Sequence, residues 1–441
     1  AFSIWHLGFA PKCQMLNAFS YSQTILPCYT DPVMSDRIKR ILFVVFFLLF
    51  TAGVAVAIYF IFFRPAAVTV PPAVTPEVPG EFPGAGPAGP GVPTVPAAPG
   101  ELPPAAAVPG AAPAAAPAQQ TTLLRDAVTQ GVSLSADGSG ARFYNPDDSK
   151  FYRVRPDGSS EALSAATFPN LDSVTWGKTT DQAILAFPDG SKIHYDFRSQ
   201  SQTTLPKHWE DFNFSSDDSK VVAKSNALAP ESRFLIVSDP NGGNSNAVAL
   251  LGANADKTFP VWTPNNQIIA YATVGEAKGF DRQEIILVGR NNENFRGLQV
   301  EGRGFRPNWS PSGKKLLYSV WNAASEYRPE LWISGGDPDT INIGRTKLDL
   351  QTWADKCAWA NDDVIYCAVP ASLPRGAGLQ PDLFNNIADS FIKIDLASGA
   401  RTQLGAPTGN LSVRNPVLTT NKQNIIFTDA TTGKLFDFKL P

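Results

Sequence analysis

Histidine and cysteine are almost missing from this chain, with three and four copies in 441 residues. His6, His194 and His208 are scattered, and no two cysteines form a C-x-x-C pair. That pattern supplies neither a clustered zinc site nor a disulfide-dense scaffold, and no cofactor or metal is expected. A strong charge of either sign is missing as well. Lys and Arg number 37 against 40 Asp and Glu, so there is no basic footprint for nucleic acid. Neither G-x-S-x-G, H-E-x-x-H nor a Walker loop occurs. Gly84-Ala85-Gly86-Pro87-Ala88-Gly89 has the letters of a dinucleotide loop, yet prolines flank it where a strand and a helix are required.

Between Ile41 and Phe63 charge disappears altogether: ILFVVFFLLFTAGVAVAIYFIFF. As a helix this run reaches about 35 Å, enough for a hydrocarbon core of about 30 Å, and it is apolar on every face. A transmembrane helix over 41–63 is therefore expected, in contact with the lipid bilayer. Arg37, Lys39 and Arg40 precede it in the basic lead 34–40, whereas only Arg64 follows before Arg125. This asymmetry predicts a cytoplasmic N-terminus and an extracytoplasmic remainder, periplasmic or at the cell surface. Ala55-Val56-Ala57 fits signal-peptide cleavage, but the apolar run continues beyond it and reads better as an uncleaved anchor.

Residues 1–33 show no sustained periodicity, and Met34 opens a conventional lead into the anchor. They are expected to be an upstream extension, or a cytoplasmic tail in which Cys13 and Cys28 stay reduced. After the anchor, 64–119 is a Pro/Ala/Gly-rich linker. Its stretch 65–118 has 16 prolines and three charges, a composition that cannot form a packed core and favours extended geometry.

From residue 120 the composition changes to short runs of Val, Ile, Phe, Tyr and Trp divided by Asp-Gly, Asn-Asn and Ser-Gly turns, an all-β pattern. The unit repeats seven times. Aligned on Leu134, Trp176, Phe214, Trp262, Trp309, Trp359 and Leu418, the steps are 42, 38, 48, 47, 50 and 59 residues. Such periods indicate a β-propeller, here seven four-stranded blades over 120–441. The recurring Trp or Phe is expected to pack between blades. Pro307-Asn308-Trp309-Ser310-Pro311-Ser312-Gly313-Lys314-Lys315 and Pro260-Val261-Trp262-Thr263-Pro264-Asn265 resemble the P-x-W-S-P-D-G-K repeat of the TolB-like (WD-type) propellers. The resemblance implies a propeller that binds other envelope proteins. The α/β domain that precedes the propeller in that family has no counterpart here.

Two local features follow from register. The seventh unit lacks a fourth strand, and Thr121-Thr122-Leu123-Leu124-Arg125 is the free strand available to close the ring beside Lys434 to Leu440, hiding an edge that would otherwise aggregate. In KCAWANDDVIYCAV a tight turn sets Cys357 opposite Cys367, so a disulfide is expected outside the cytoplasm. A bulge in that turn would shift the register and leave two free thiols.

Ser135-Ala136-Asp137-Gly138-Ser139 has part of a sialidase Asp-box but reads as a turn, as do Asp147-Asp148 and Asp217-Asp218 in place of calcium ligands. Loop lengths carry more information. The long loops 226–232, 275–282, 321–329 and 370–390 share a face with the inter-blade segments 301–306 and 351–356. That face is expected to gather Phe280, Arg282, Arg303, Arg306, Trp321, Tyr327, Arg328, Trp353, Arg375 and Phe384, the aromatic and arginine mixture of interface hot spots. The expected function is a non-catalytic platform for an envelope protein or cell-wall polymer. The alternative is an enzyme, a lyase or glycan hydrolase, with its pocket on the propeller axis.

Overall fold

The computed structural model describes residues 42–53, 121–279, 281–293 and 295–441. Residues 42–53, within the expected anchor, are helical with exposed apolar side chains such as Phe46 and Leu49. Among the described residues no helix is long and apolar enough to cross a membrane. The rest of 41–63, the segment 1–40 and the linker 64–119 lie outside the described residues.

Residues 121–441 form seven four-stranded antiparallel sheets. The first strands of most neighbouring blades touch one another and so line the axis of the ring. Middle strands such as β3 (Ala141–Asn145) are buried at every position, because both their faces are covered by adjacent blades. Outer strands such as β9 (Ser201–Leu205) are exposed over four of their five residues. The repeated aromatic does pack between blades: Trp176 meets Tyr144 and Phe151 of blade one, and Trp309 meets Ile268 and Leu287 of blade four.

Turns between first and second strands carry a hydroxyl and an Asx in fixed geometry. Ser135 Oγ donates to Asp137 Oδ1 at 2.6 Å, Ser215 to Asp217 at 2.6 Å, Thr263 to Asn265 at 2.6 Å and Thr419 to Asn421 at 2.7 Å. Asp218 reaches the preceding blade, where its carboxylate accepts from the amides of Lys178, Thr179 and Thr180 and from both threonine hydroxyls. These carboxylates are structural latches. Asp148 likewise serves its own turn, taking the amide of Lys150 and the hydroxyl of Tyr152.

The N-terminal strand β1 (Thr121–Arg125) pairs with the last strand β28 (Leu435–Lys439), Thr121 opposite Phe438 and Leu123 opposite Phe436, so both ends of the domain share the seventh blade. In blade six, β22 (Cys357–Trp359) pairs with β23 (Val364–Pro370) with Cys357 directly opposite Cys367. The two are joined by a disulfide whose Cα atoms lie 4.0 Å apart. It is buried against Leu317 and Leu331 of blade five.

Candidate binding face

The face of long loops is organised by blades five and six. Strand β19 (Lys315–Trp321) ends on Trp321, and a turn with left-handed Glu326 (φ 53°) and Tyr327 (φ 59°) follows. Tyr327 meets Trp321 edge-on, with ring centroids 5.9 Å apart. Glycine is required on either side of that indole: a Cβ on Gly304 would lie 2.3 Å from its Nε1, and one on Gly378 would lie 2.6 Å from its Cδ1. The blade-six loop, 371–388, is bonded onto this turn. Gly376 donates to the Glu326 carbonyl at 2.9 Å and Gly378 to that of Tyr327 at 2.7 Å, while Arg328 Nε donates to the Leu373 carbonyl at 2.7 Å.

Beneath the loop is a small core of its own, Trp353, Leu373 and Ala377, with Phe384 and Ile387 packed against it. A loop of this length with no regular structure beyond one short 3-10 turn, Pro381–Phe384, is seldom kept for stability alone. Its backbone is held from below and from the side, and Leu379 and Leu383 project from it 53% and 67% exposed. Large apolar side chains held outward on a fixed base are what a partner surface buries.

The expected face residues meet different fates. Phe280 lies outside the described residues. Trp321, Tyr327, Arg328 and Phe384 come together in the fused loops, but Trp353 is 6% exposed and forms the floor instead of the contact surface. Several arginines are neutralised. Arg282 Nε lies 2.6 Å from Glu301, Arg306 2.7 Å from Asp355, and Arg328 2.8 Å from Glu326. Arg303 and the exposed Arg375 have no side-chain partner among the described residues.

Toward the axis, Arg306, Lys356, Asp382, Asn385 and Arg414 surround a polar cleft of about 340 Å3. Its base is a buried pair: Lys356 Nζ lies 2.9 and 2.7 Å from the two oxygens of Asp389, which also accepts the Val413 amide at 2.6 Å. Burial pushes the Asp389 pKa upward, against the opposing pull of Lys356 and the hydrogen bonds. Burial also pushes the nearby Tyr271 phenol up to about 12, with Arg306 acting the other way.

No family model and no curated protein matches this sequence. Solved structures do. An oligogalacturonate lyase from Vibrio parahaemolyticus is 13% identical and superposes with a TM-score of 0.52, over 73% of this chain and 93% of that one. An oligogalacturonate lyase in complex with manganese is 14% identical, with a TM-score of 0.49 over 73% and 90%. The Cps50 (Swd1) β-propeller domain of Myceliophteria thermophila is 12% identical, with a TM-score of 0.48 over 73% and 100%. At these identities the likeness is one of fold.

Sequence reasoning missed Leu379 and Leu383, although Gly378 just before the first and Pro381 just before the second mark turns that expose what they carry. It also missed the Lys356–Asp389 pair and Arg414, which come together only through three separate segments. The cleft is rich in donors, with its carboxylates paired or at the rim, an arrangement suited to holding a polar ligand.

Proposed function

We propose that this chain is a membrane-anchored, extracytoplasmic propeller of the TolB-like type that acts as a non-catalytic platform for an envelope protein or wall polymer. The observation that carries the reading is the blade-six loop, bonded to blade five, seated on its own core and holding Leu379 and Leu383 outward. The uncharged run 41–63 with its basic lead supports the anchor. The Cys357–Cys367 pair supports an oxidising compartment, since such a bond persists outside the cytoplasm.

The reading is tested by chemical cross-linking on intact cells, followed by pull-down of the full chain and of a Leu379→Asp, Leu383→Asp double variant. A partner recovered with the parent and lost with the variant supports it. Equal recovery removes the loop from the interface. The polar cleft favours a second reading, an enzyme acting on a glycan at the axis. Turnover of an acidic oligosaccharide that is abolished by Arg414→Ala would select that reading.

A further inference from the structure

Away from the long-loop face there is a cavity of different character, of about 610 Å3, between blades five and six. Its origin is a shortened edge. The fourth strand of blade five, β21 (Thr346–Lys347), has two residues, whereas β5 (Ser160–Ala162) and β17 (Leu298–Val300), the next shortest outer strands, have three. The truncated strand leaves a wedge open between the blades. Its walls are Ile333, Leu348, Ile394 and Leu396, with Ile343 on the lip and 60% exposed.

The rim carries charge, and the hydrogen-bonding state of each charge decides what the wedge can accept. Lys315 is paired with Asp363 at 2.6 Å and Lys347 with Glu330 at 2.6 Å. Asp395 Oδ1 already takes the amides of Ala397 and Ser398 and the Ser398 hydroxyl, and Asp337 takes Asn265 Nδ2 at 2.5 Å. Two rim cations have no carboxylate partner among the described residues. Arg401 spends Nη2 on the Leu348 carbonyl at 2.6 Å, which fixes it across the mouth. The ammonium of the exposed Lys314 has no hydrogen-bond or ion-pair partner among the described residues, although its charge acts on the nearby Asp362, which is already bonded to Ser312. The carboxylates are thus supplied with donors, while the cations still have donors to give. A cavity of this size is in the range of small-ligand sites, and burying apolar carbons in it gains about 0.8 kcal/mol per methylene.

We infer that the wedge between blades five and six binds a long-chain carboxylate, its tail between Ile333 and Ile394 and its head group on Arg401 and Lys314. The site is separate from the long-loop face and does not depend on the platform reading. Photolabelling of the full chain in lipid nanodiscs tests it, using dodecanoate with a terminal diazirine and, in parallel, the matching quaternary ammonium probe. The carboxylate is expected to label the peptides around 331–348 and 392–401 about tenfold more than the cation does. Arg401→Glu with Lys314→Glu should reverse that preference, and Ile343→Glu, a change at an exposed position that the fold tolerates, should lower labelling by both probes. Equal labelling by the two head groups, an unchanged preference in the charge-reversed variant, or absence of label from both peptides would overturn the assignment.

Discussion

The two ends of the propeller are built on opposite principles. At one end short turns repeat the same hydroxyl and Asx geometry from blade to blade and reach sideways: Asp218 into blade two, Asn265 to Asp337, Ser312 to Asp362. At the other end the loops differ in length, and those of blades five and six are fused into one structure with a separate core. Repetition serves ring closure, since each unit must satisfy the same neighbour. Departure from the repeat marks what the ring itself does not require, and that is where recognition is expected.

The contrast breaks most severely if closure is removed. Deleting residues 120–127 takes away β1 and uncovers the β28 edge, and the expected loss is about 5 kcal/mol with aggregation on heating. A calorimetric transition that does not move would show that the seventh blade closes without it. Next in size is a single latch. Asp218→Ala leaves three amides and two hydroxyls without their acceptor, and urea unfolding should register about 3 kcal/mol. Cys367→Ser should cost about 2 kcal/mol, and reductant should reproduce that loss in the parent but add nothing in the variant. Alkylation before digestion, read by mass spectrometry, checks the bond directly: free thiols at both positions in protein purified without reductant would exclude it.

A smaller effect sits in the closing seam. Asp437 lies opposite Thr122 of β1, and burial raises its pKa from 3.8 to about 6, only partly offset by Asn424 and Lys439. The native state therefore holds this proton where the unfolded chain has released it. Its contribution to stability is full below about pH 4 and is lost as the pH rises through about 6. Melting curves of the parent and Asp437→Asn should accordingly diverge between pH 5 and pH 7, the variant lacking this component of the pH dependence; parallel curves would place the carboxyl in water. The smallest effect on stability is the most informative for function. Leu379→Asp with Leu383→Asp should stay within about 0.5 kcal/mol of the parent while abolishing partner capture.

The repeating end was the legible one. Seven units, the free strand at Thr121 and the opposition of Cys357 to Cys367 follow from period and register, which are local properties of a strand pair. The loop face was legible only as composition. Arg282, Arg306 and Arg328 could be named from sequence, but their carboxylates, Glu301, Asp355 and Glu326, could not be matched to them: Arg306 meets Asp355 only when adjacent blades pack, and Arg282 meets Glu301 only through the register that sets Gln283 opposite Val300. Trp353 looked like a contact residue for the same reason. Its burial depends on the loop that folds back over it some twenty residues later.

Site-specific photo-crosslinking in living cells tests the division between the two ends most directly. A photoreactive residue at Leu379 on the long-loop face, or at Asp157 in a short exposed turn elsewhere on the propeller, is irradiated in the full chain and the adducts are compared. A discrete adduct of one size is expected from Leu379 and none from Asp157. The same adduct from both positions, or one from Asp157 alone, would contradict that division.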